Sequence, residues 1–262
     1  MLPIWQAQTY EKTIESGGRN KPWVVTLQTD EGLKPYVVKM FAERDIEQQN
    51  ALCKEVYGAA YARELDLNTP DFCLVEFPDY FAGTLSEDLK VLFRKKHHRY
   101  AFGSLYYEGA STYSPSQHFR DLSSYDIESI YAFDVTIRNV DRRVGKPNIL
   151  FFEKQAYLID HELSFSIKQG DNPEQVLGTF PYQKHIFHNV LSKRMKRGRN
   201  KPDFSSFMEI FRYSRTDCIM ECADVLKDLG YNTDDSLVIE LYLKRLRSER
   251  NKLMQRLVGS LQ

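Results

Sequence analysis

Apolar residues in the first third of the chain form short runs rich in β-branched and aromatic side chains, as strands do. Residues 23–28 and 35–41 are two such runs, and Gly32 between them can take the positive φ of a tight turn. They predict a hairpin with Lys39 near the end of its second arm. Residues 72–77 and 100–107 predict further strands.

Helical spacing of apolar residues predicts one helix over residues 46–65, and a weaker helical pattern covers residues 87–94. From about residue 108 the chain becomes mostly helical, with a first helix at 126–137. Two short apolar runs, 149–152 and 156–159, flank a hairpin turn. A loop at 163–180 leads to four more predicted helices, and Gly230 is the predicted C-cap of the third.

These patterns predict an α+β fold with two lobes. Residues 1–107 would form a β-rich N-terminal lobe with one helix, and residues 108–262 a mostly helical C-terminal lobe that carries the hairpin. A cleft between two such lobes is a natural place for a nucleotide.

Composition and charge exclude only a few classes of function. The 262 residues include 36 Lys and Arg and 36 Asp and Glu, so no general attraction to nucleic acid or acidic membranes is expected. The four cysteines lack the spacing of a metal site and are expected to be small buried side chains. No basic leader is evident, and no apolar run approaches the ~20 residues of a membrane span, so we expect a cytoplasmic protein.

Three oxygen-bearing side chains surround the predicted hairpin. Asp141 follows the helix at 126–137, Asn148 precedes the first strand, and Asp160 follows the second. The hairpin should bring Asn148 and Asp160 together, where their oxygens suit Mg²⁺ on nucleotide phosphates. Asp141 can orient an attacking hydroxyl, which is what phosphoryl transfer requires. The pattern predicts Asp141 as the catalytic carboxylate and Asn148 and Asp160 as metal ligands.

Lys39 is either a solvated strand end or a cation that reaches nucleotide phosphates. The following helix offers Glu43, Glu47 and Glu55, and Glu55 lies within the apolar face, where a carboxylate needs a partner. Because the two features occur together, we expect an ion pair between Lys39 and Glu55.

Two weaker features contribute cations and backbone donors. Gly17, Gly18, Arg19 and Asn20 precede the strand at 23–28, and their N–H groups either bind phosphate or belong to an ordinary loop. The segment is not a Walker motif, because Gly-Lys-Ser/Thr is absent.

The basic run at 193–201 is either solvated or a surface for an acidic partner, nucleic acid or an anionic head group.

These residues resemble the HipA-like kinases, specifically the short bacterial branch that also looks like phosphatidylinositol 3-/4-kinases. The matching segments lie between about residues 15 and 165. They include Gly-Gly-Arg-Asn-Lys-Pro at 17–22, Tyr-Val-Val-Lys at 36–39, Asn-Val-Asp-Arg at 139–142, Pro-Asn-Ile-Leu at 147–150 and Leu-Ile-Asp-His at 158–161. One departure is the spacing from Asp141 to the metal-binding Asn: position 146, where many kinases have it, is Lys, and the Asn is at 148. A second is Arg143, which stands where His or Asn usually follows the Asp-Arg pair.

The resemblance implies a protein-kinase-like fold with ATP between the lobes. By that resemblance Lys39 contacts the phosphates, Glu55 holds Lys39, Asp141 is the catalytic base, and Asn148 and Asp160 bind Mg²⁺. The strand near 102–107 would lead towards adenine, with Ser104 and Tyr106 as cofactor-binding candidates. His161 is expected to be a structural turn residue, with a general base as the other interpretation.

The expected function is therefore an ATP- and Mg²⁺-dependent kinase that phosphorylates a hydroxyl, with Ser or Thr of a protein as the expected acceptor. A non-catalytic nucleotide-binding module and a lipid kinase that uses the 193–201 run are the alternatives. A regulatory partner of the antitoxin kind is a further hypothesis, which the sequence alone does not test.

Overall fold

The computed structural model describes residues 2–15, 21–96, 99–114, 122, 125–198 and 200–262, which form eight strands and ten α-helices. Five strands close into a barrel in the order β1-β2-β3-β5-β4. In chain order they are β1 Ile4–Thr13, β2 Trp23–Thr29, β3 Gly32–Lys39, β4 Phe72–Glu76 and β5 Tyr100–Leu105. Neighbouring strands are antiparallel, except that β1 and β4 are parallel.

The β2–β3 hairpin has the predicted form. Thr29 pairs with Gly32, whose φ of 105° is the conformation that glycine adopts without a steric penalty. The sequence did not predict β1, because Ala7 is its one fully buried residue and most of its other side chains are polar. The loop that was expected before the first strand therefore connects β1 to β2, and the Ile14 N–H donates to Pro22 O across its base at 2.9 Å.

The single helix expected of residues 1–107 is too few, whereas the weaker helical pattern at 87–94 is confirmed as a helix. The described residues contain three helices there, α1 Glu43–Gln49, α2 Ala51–Glu64 and α3 Glu87–Lys96. Asn50 takes a left-handed conformation with φ 53°, so the predicted helix at 46–65 is divided into α1 and α2. Helix α3 comes between β4 and β5 in the sequence. Its Phe93 packs into the barrel core against Trp23.

The remaining elements are mostly helical, as predicted. In chain order the helices are α4 Ile127–Thr136, α5 Pro173–Gly178, α6 His188–Arg197, α7 Ser205–Tyr213, α8 Asp217–Asp228, α9 Asp234–Ser248 and α10 Arg250–Gly259. A second sheet contains β6 Ser111–Thr112, β7 Ile149–Phe152 and β8 Gln155–Leu158 in that order. Gly230 has φ 86° and its N–H donates to Lys227 O at 2.9 Å, which confirms the predicted cap.

Two hydrophobic clusters support these elements. The smaller one fills the barrel, with Val25, Leu27 and Val38 at its centre. The larger one combines the helical part with α2 and with the outer face of β4 and β5, which contributes Leu74 and Phe102. Helix α2 thus packs with the helices beyond the barrel. Within the part of the chain that is described, no helix has both the length and the apolar content to cross a membrane.

The barrel is closely packed around Gly103 in β5. A Cβ atom at this position would lie 2.7 Å from Val75 Cγ2 and 2.8 Å from Cys73 Sγ. We expect Gly103→Ala to lower the free energy of unfolding by about 1–3 kcal/mol through overpacking, as measured by urea denaturation. Gly83→Ala is the control, because no atom lies within 4 Å of a Cβ there. Equal stability of the two variants would contradict this account.

Candidate active site

Lys39, at the end of β3, is surrounded by carboxylates. Its Nζ lies 3.3 Å from Glu55 Oε2 and 2.6 Å from Glu162 Oε2, and it also pairs with Asp160 Oδ1. Glu55 comes from the middle of α2, while Asp160 and Glu162 follow β8. The predicted Lys39–Glu55 ion pair is therefore present, and Glu162 is a third partner that the sequence did not reveal.

The charge of this group is unbalanced, since one ammonium serves three carboxylates. Burial alone would lower the pKa of Lys39, but the three carboxylates outweigh burial and raise it. Burial raises the pKa of Glu55 to about 7 against the opposing charge of Lys39. Oxygens of Glu55, Asp160 and Glu162 lie within 4.8 Å of one another. The donor set and its excess negative charge fit a divalent cation that prefers oxygen ligands.

Helix α2 contacts the segment after β8 at two positions three residues apart. Glu55 Oε2 accepts a hydrogen bond from the His161 N–H at 2.9 Å. Gly58, three residues further along the helix, faces the His161 side chain, where an added Cβ would lie 2.7 Å from Cγ and closer still to Cβ. Because glycine at position 58 has no side chain, α2 can lie close enough to His161 for Glu55 to reach Lys39.

Asn148 and Asp160 lie at the same end of the β7–β8 hairpin. The first ladder pair joins Ile149 and Leu158, and the Ile159 N–H donates to Asn148 O at 3.2 Å. The backbones of both Asn148 and Asp160 take the left-handed helical conformation, with φ values of 50° and 64°. Among the described residues the buried Nδ2 of Asn148 has no hydrogen-bond partner. An unsatisfied amide beside the carboxylates is consistent with a ligand-binding position.

Asp141 is held between two cations. Lys146 Nζ donates to its Oδ2 at 3.0 Å, and Arg143 Nε donates to its Oδ1 at 3.4 Å. The Asp141 N–H donates to Asn139 Oδ1 at 3.2 Å, which orients the loop. Sequence reasoning did not select Lys146, although its place in Lys-Pro-Asn directly before β7 was a signal that could have identified it.

The loop that carries Asp141 is anchored on buried Asp134 in α4. Arg142 Nε donates to Asp134 Oδ2 at 2.6 Å, His185 Nε2 lies 3.0 Å from the same oxygen, and Asn139 Nδ2 donates to Oδ1 at 3.1 Å. Arg142 also donates to the carbonyl oxygens of Asn148 and Ile159. Burial would raise the pKa of Asp134, but the charge of Arg142 and the contact with His185 lower it.

The other predicted site residues lie in different settings. Ser104 stands opposite Val37 in the β3–β5 ladder, so it shares the face of the sheet that carries Lys39. The Tyr106 hydroxyl accepts a hydrogen bond from Lys12 Nζ at 3.0 Å. Gly17, Gly18, Arg19 and Asn20 lie outside the described residues.

His161 and the basic run also have defined surroundings. Burial lowers the pKa of His161 to about 3, and neither ring nitrogen has a hydrogen-bond partner in the described part of the chain. In the basic run, Arg194 pairs with Glu128 at 2.5 Å, whereas Lys196 and Arg197 are exposed. Arg199 is outside the described residues.

Comparison with known proteins shows the family of the chain. The sequence matches the family of HipA-like kinases over residues 12–221, and the chain belongs to that family. The fold is similar to that of the proinflammatory kinase CtkA of Helicobacter pylori, with 12% identity, a TM-score of 0.58, and coverage of 98% of this chain and 99% of that chain. These results establish a kinase family and a kinase-like α+β fold.

A more distant likeness is to the PAN3 pseudokinase of Neurospora crassa. The identity is 12% and the TM-score 0.34, with 99% of this chain and 64% of that chain covered. No curated protein matches the sequence.

The contact between α2 and His161 can be tested by filling it. We expect Gly58→Ala to lower the free energy of unfolding by about 1–3 kcal/mol, because the new methyl group overlaps His161. Gly178→Ala, at the end of α5 with no atom within 4 Å of its Cβ, is the helical control. In a His161→Gly background, the same Gly58→Ala change should cost less in thermal or urea unfolding, because the overlapping side chain is absent. If Gly58→Ala alone is neutral, the contact does not constrain α2.

The Asp134 anchor should be far more costly to remove than a surface pair. We expect Asp134→Ala to lower the free energy of unfolding by about 3–5 kcal/mol, because Arg142 is then buried without its counter-ion. Asp217→Ala removes the exposed partner of Arg215 and should change stability little. Urea denaturation of both variants measures the difference. Similar losses in the two would show that the buried network does not anchor the loop.

Proposed function

We propose that the protein is an ATP- and Mg²⁺-dependent kinase that transfers the γ-phosphoryl group to a Ser or Thr hydroxyl of a protein. The observation that carries this proposal is the assembly of Lys39, Glu55 and Asp160 beside the hairpin end that also bears Asn148. Membership of a kinase family supports the same reaction class. The protein acceptor and a cytoplasmic location extend the proposal, supported by the zero net charge of the chain.

Each side chain has a role that follows from its contacts. Lys39 binds the phosphates of ATP, and Glu55 keeps its ammonium in place. Asp141 accepts the proton of the acceptor hydroxyl as the oxygen attacks the γ-phosphorus and the bond to the ADP oxygen breaks. Lys146, hydrogen-bonded to Asp141, provides positive charge beside the transferring group.

The remaining site residues bind the nucleotide and its metal. Asn148 and Asp160 would hold Mg²⁺, with Glu162 as an additional oxygen donor. When bound, Mg²⁺ neutralises charge on the phosphates. Ser104 and Tyr106 are proposed to line the nucleotide site, and residues 17–20 to provide backbone donors for phosphate.

The proposal predicts that binding and chemistry can be separated by mutation. We expect Asp141→Asn to reduce transfer of labelled γ-phosphate about 100-fold or more while Mg-ATP binding persists, since it removes the general base. Asp160→Ala should instead weaken Mg²⁺-dependent ATP binding. The exposed Asp79→Asn is the control and should behave as wild type. Binding is measured by calorimetry and transfer with a mixed protein and peptide acceptor pool.

Three results would contradict the proposed function in distinguishable ways. Absence of any Mg-ATP binding would exclude a nucleotide site. Tight binding without transfer to any acceptor would indicate a non-catalytic module. Transfer only to anionic lipid vesicles would indicate a lipid kinase.

A further inference from the structure

The base Asp141 has a cation on each of its oxygens, and both cations reach solvent. Arg143 contacts Oδ1 and Lys146 contacts Oδ2, and their side chains are 50% and 44% exposed. The two residues also close a tight turn, in which the Arg143 N–H donates to Lys146 O at 2.9 Å. The tip of this turn carries Val144, which is 57% exposed. The surface beside Asp141 is therefore positively charged, and the exposed side chain of Val144 adds an apolar group to it.

A third cation lies next to this turn. Arg143 forms an isolated antiparallel bridge with His185, and the Ile186 N–H donates to Arg142 O at 3.1 Å. The His185 ring is directed inward to Asp134, whereas the adjacent Lys184 is exposed. Within the described ranges, Lys184 forms no ion pair, and Asp141 is the carboxylate that pairs with both Arg143 and Lys146. The charge of Lys146 also favours the ionised forms of Asp160 and Glu162, so Arg143 and Lys184 are the cations that remain for an acceptor.

The acceptor hydroxyl has to approach Asp141 beside these two cations. Each carboxylate oxygen has a second lone-pair site, so the hydroxyl can bind while both contacts persist. Arg143 contacts Asp141 through Nε alone, at 3.4 Å, which leaves its other N–H groups for a second anion. A carboxylate on the acceptor can bind these N–H groups in the planar geometry that guanidinium groups favour.

We propose that the acceptor is an acidic protein segment, with Asp or Glu within about three residues of the phosphorylated hydroxyl, recognised by Arg143 and Lys184. This inference rests on the proposed function and specifies its substrate class. Three residues of an extended chain span about 10–11 Å, a distance that a long cationic side chain and the acidic side chain facing it can cover together. Exposed Val144 between the cations suits a peptide side chain better than a uniform polyanion such as nucleic acid.

The test compares three peptides that differ only beside one Ser. The first has Asp and Glu at the flanking positions, the second has Asn and Gln, and the third has Lys and Arg. We expect wild type to show a kcat/KM at least about tenfold higher for the acidic peptide than for its amide counterpart, mainly through KM. Lys184→Gln and Arg143→Gln should each reduce this ratio, and the double variant Arg143→Glu, Lys184→Glu should reverse the preference.

The exposed Lys201→Gln is the matched control, since it removes a cation from the basic run away from the turn, and its ratio should equal that of wild type. Because Arg143 touches Asp141, its effect on kcat is separated from its effect on the peptide ratio. A fall in kcat with an unchanged ratio would show that Arg143 acts only through the base, and this would overturn its proposed role.

The remaining outcomes separate this inference from the proposed function. Equal rates for the three peptides, or a preference for the basic one, would overturn the acidic acceptor while leaving the kinase intact. Transfer to RNA or anionic vesicles and to none of the peptides would overturn the protein class of acceptor. No turnover of ATP under any condition would contradict the proposed function itself.

Discussion

The fully buried ion pair between Asp134 and Arg142 is the contact on which the site depends. Transferring both charges out of water is expensive, and the attraction between them compensates only when the remaining polar groups are also satisfied. Asp134 meets this condition through Asn139 and His185, whereas Arg142 donates to the carbonyls of Asn148 and Ile159 but keeps a buried Nη2 without a partner among the described residues. One cation therefore ties the loop of Asp141 to both strands of the hairpin that carries Asn148 and Asp160.

The carboxylates around Lys39, in contrast to Asp134, outnumber the cations that contact them. Their charges are not balanced by the protein, and the raised pKa values of Glu55 and Glu162 reflect burial together with mutual repulsion. A site with such an excess is ready to take up positive charge from a ligand. The molecule thus combines a charge-paired anchor for the Asp141 loop with a carboxylate group around Lys39 that lacks an equal number of cations.

Local patterns were enough to predict the hairpin, the Lys39–Glu55 pair and the meeting of Asn148 with Asp160. Each of these depends on residues whose spacing along one strand or helix determines where they point. The interruption at Asn50 was not predictable in the same way, since it depends on a left-handed residue that the apolar spacing does not record. His185 was missed because it joins Asp134 from 51 residues away, and only tertiary packing brings them together. Glu162 follows the predicted Asp160 closely, but nothing in its neighbourhood distinguished it from a solvated acid.

The division of the hydrophobic residues into two clusters has a mechanical consequence. Lys39 belongs to a strand of the barrel, whereas α2, which carries Glu55, packs into the larger cluster with α8 and the other helices. The ion pair therefore links a barrel strand to the larger cluster, which the outer face of β4 and β5 also joins. A displacement of β3 relative to α2 would lengthen the Lys39–Glu55 contact, so this one salt bridge registers the relative position of the two elements.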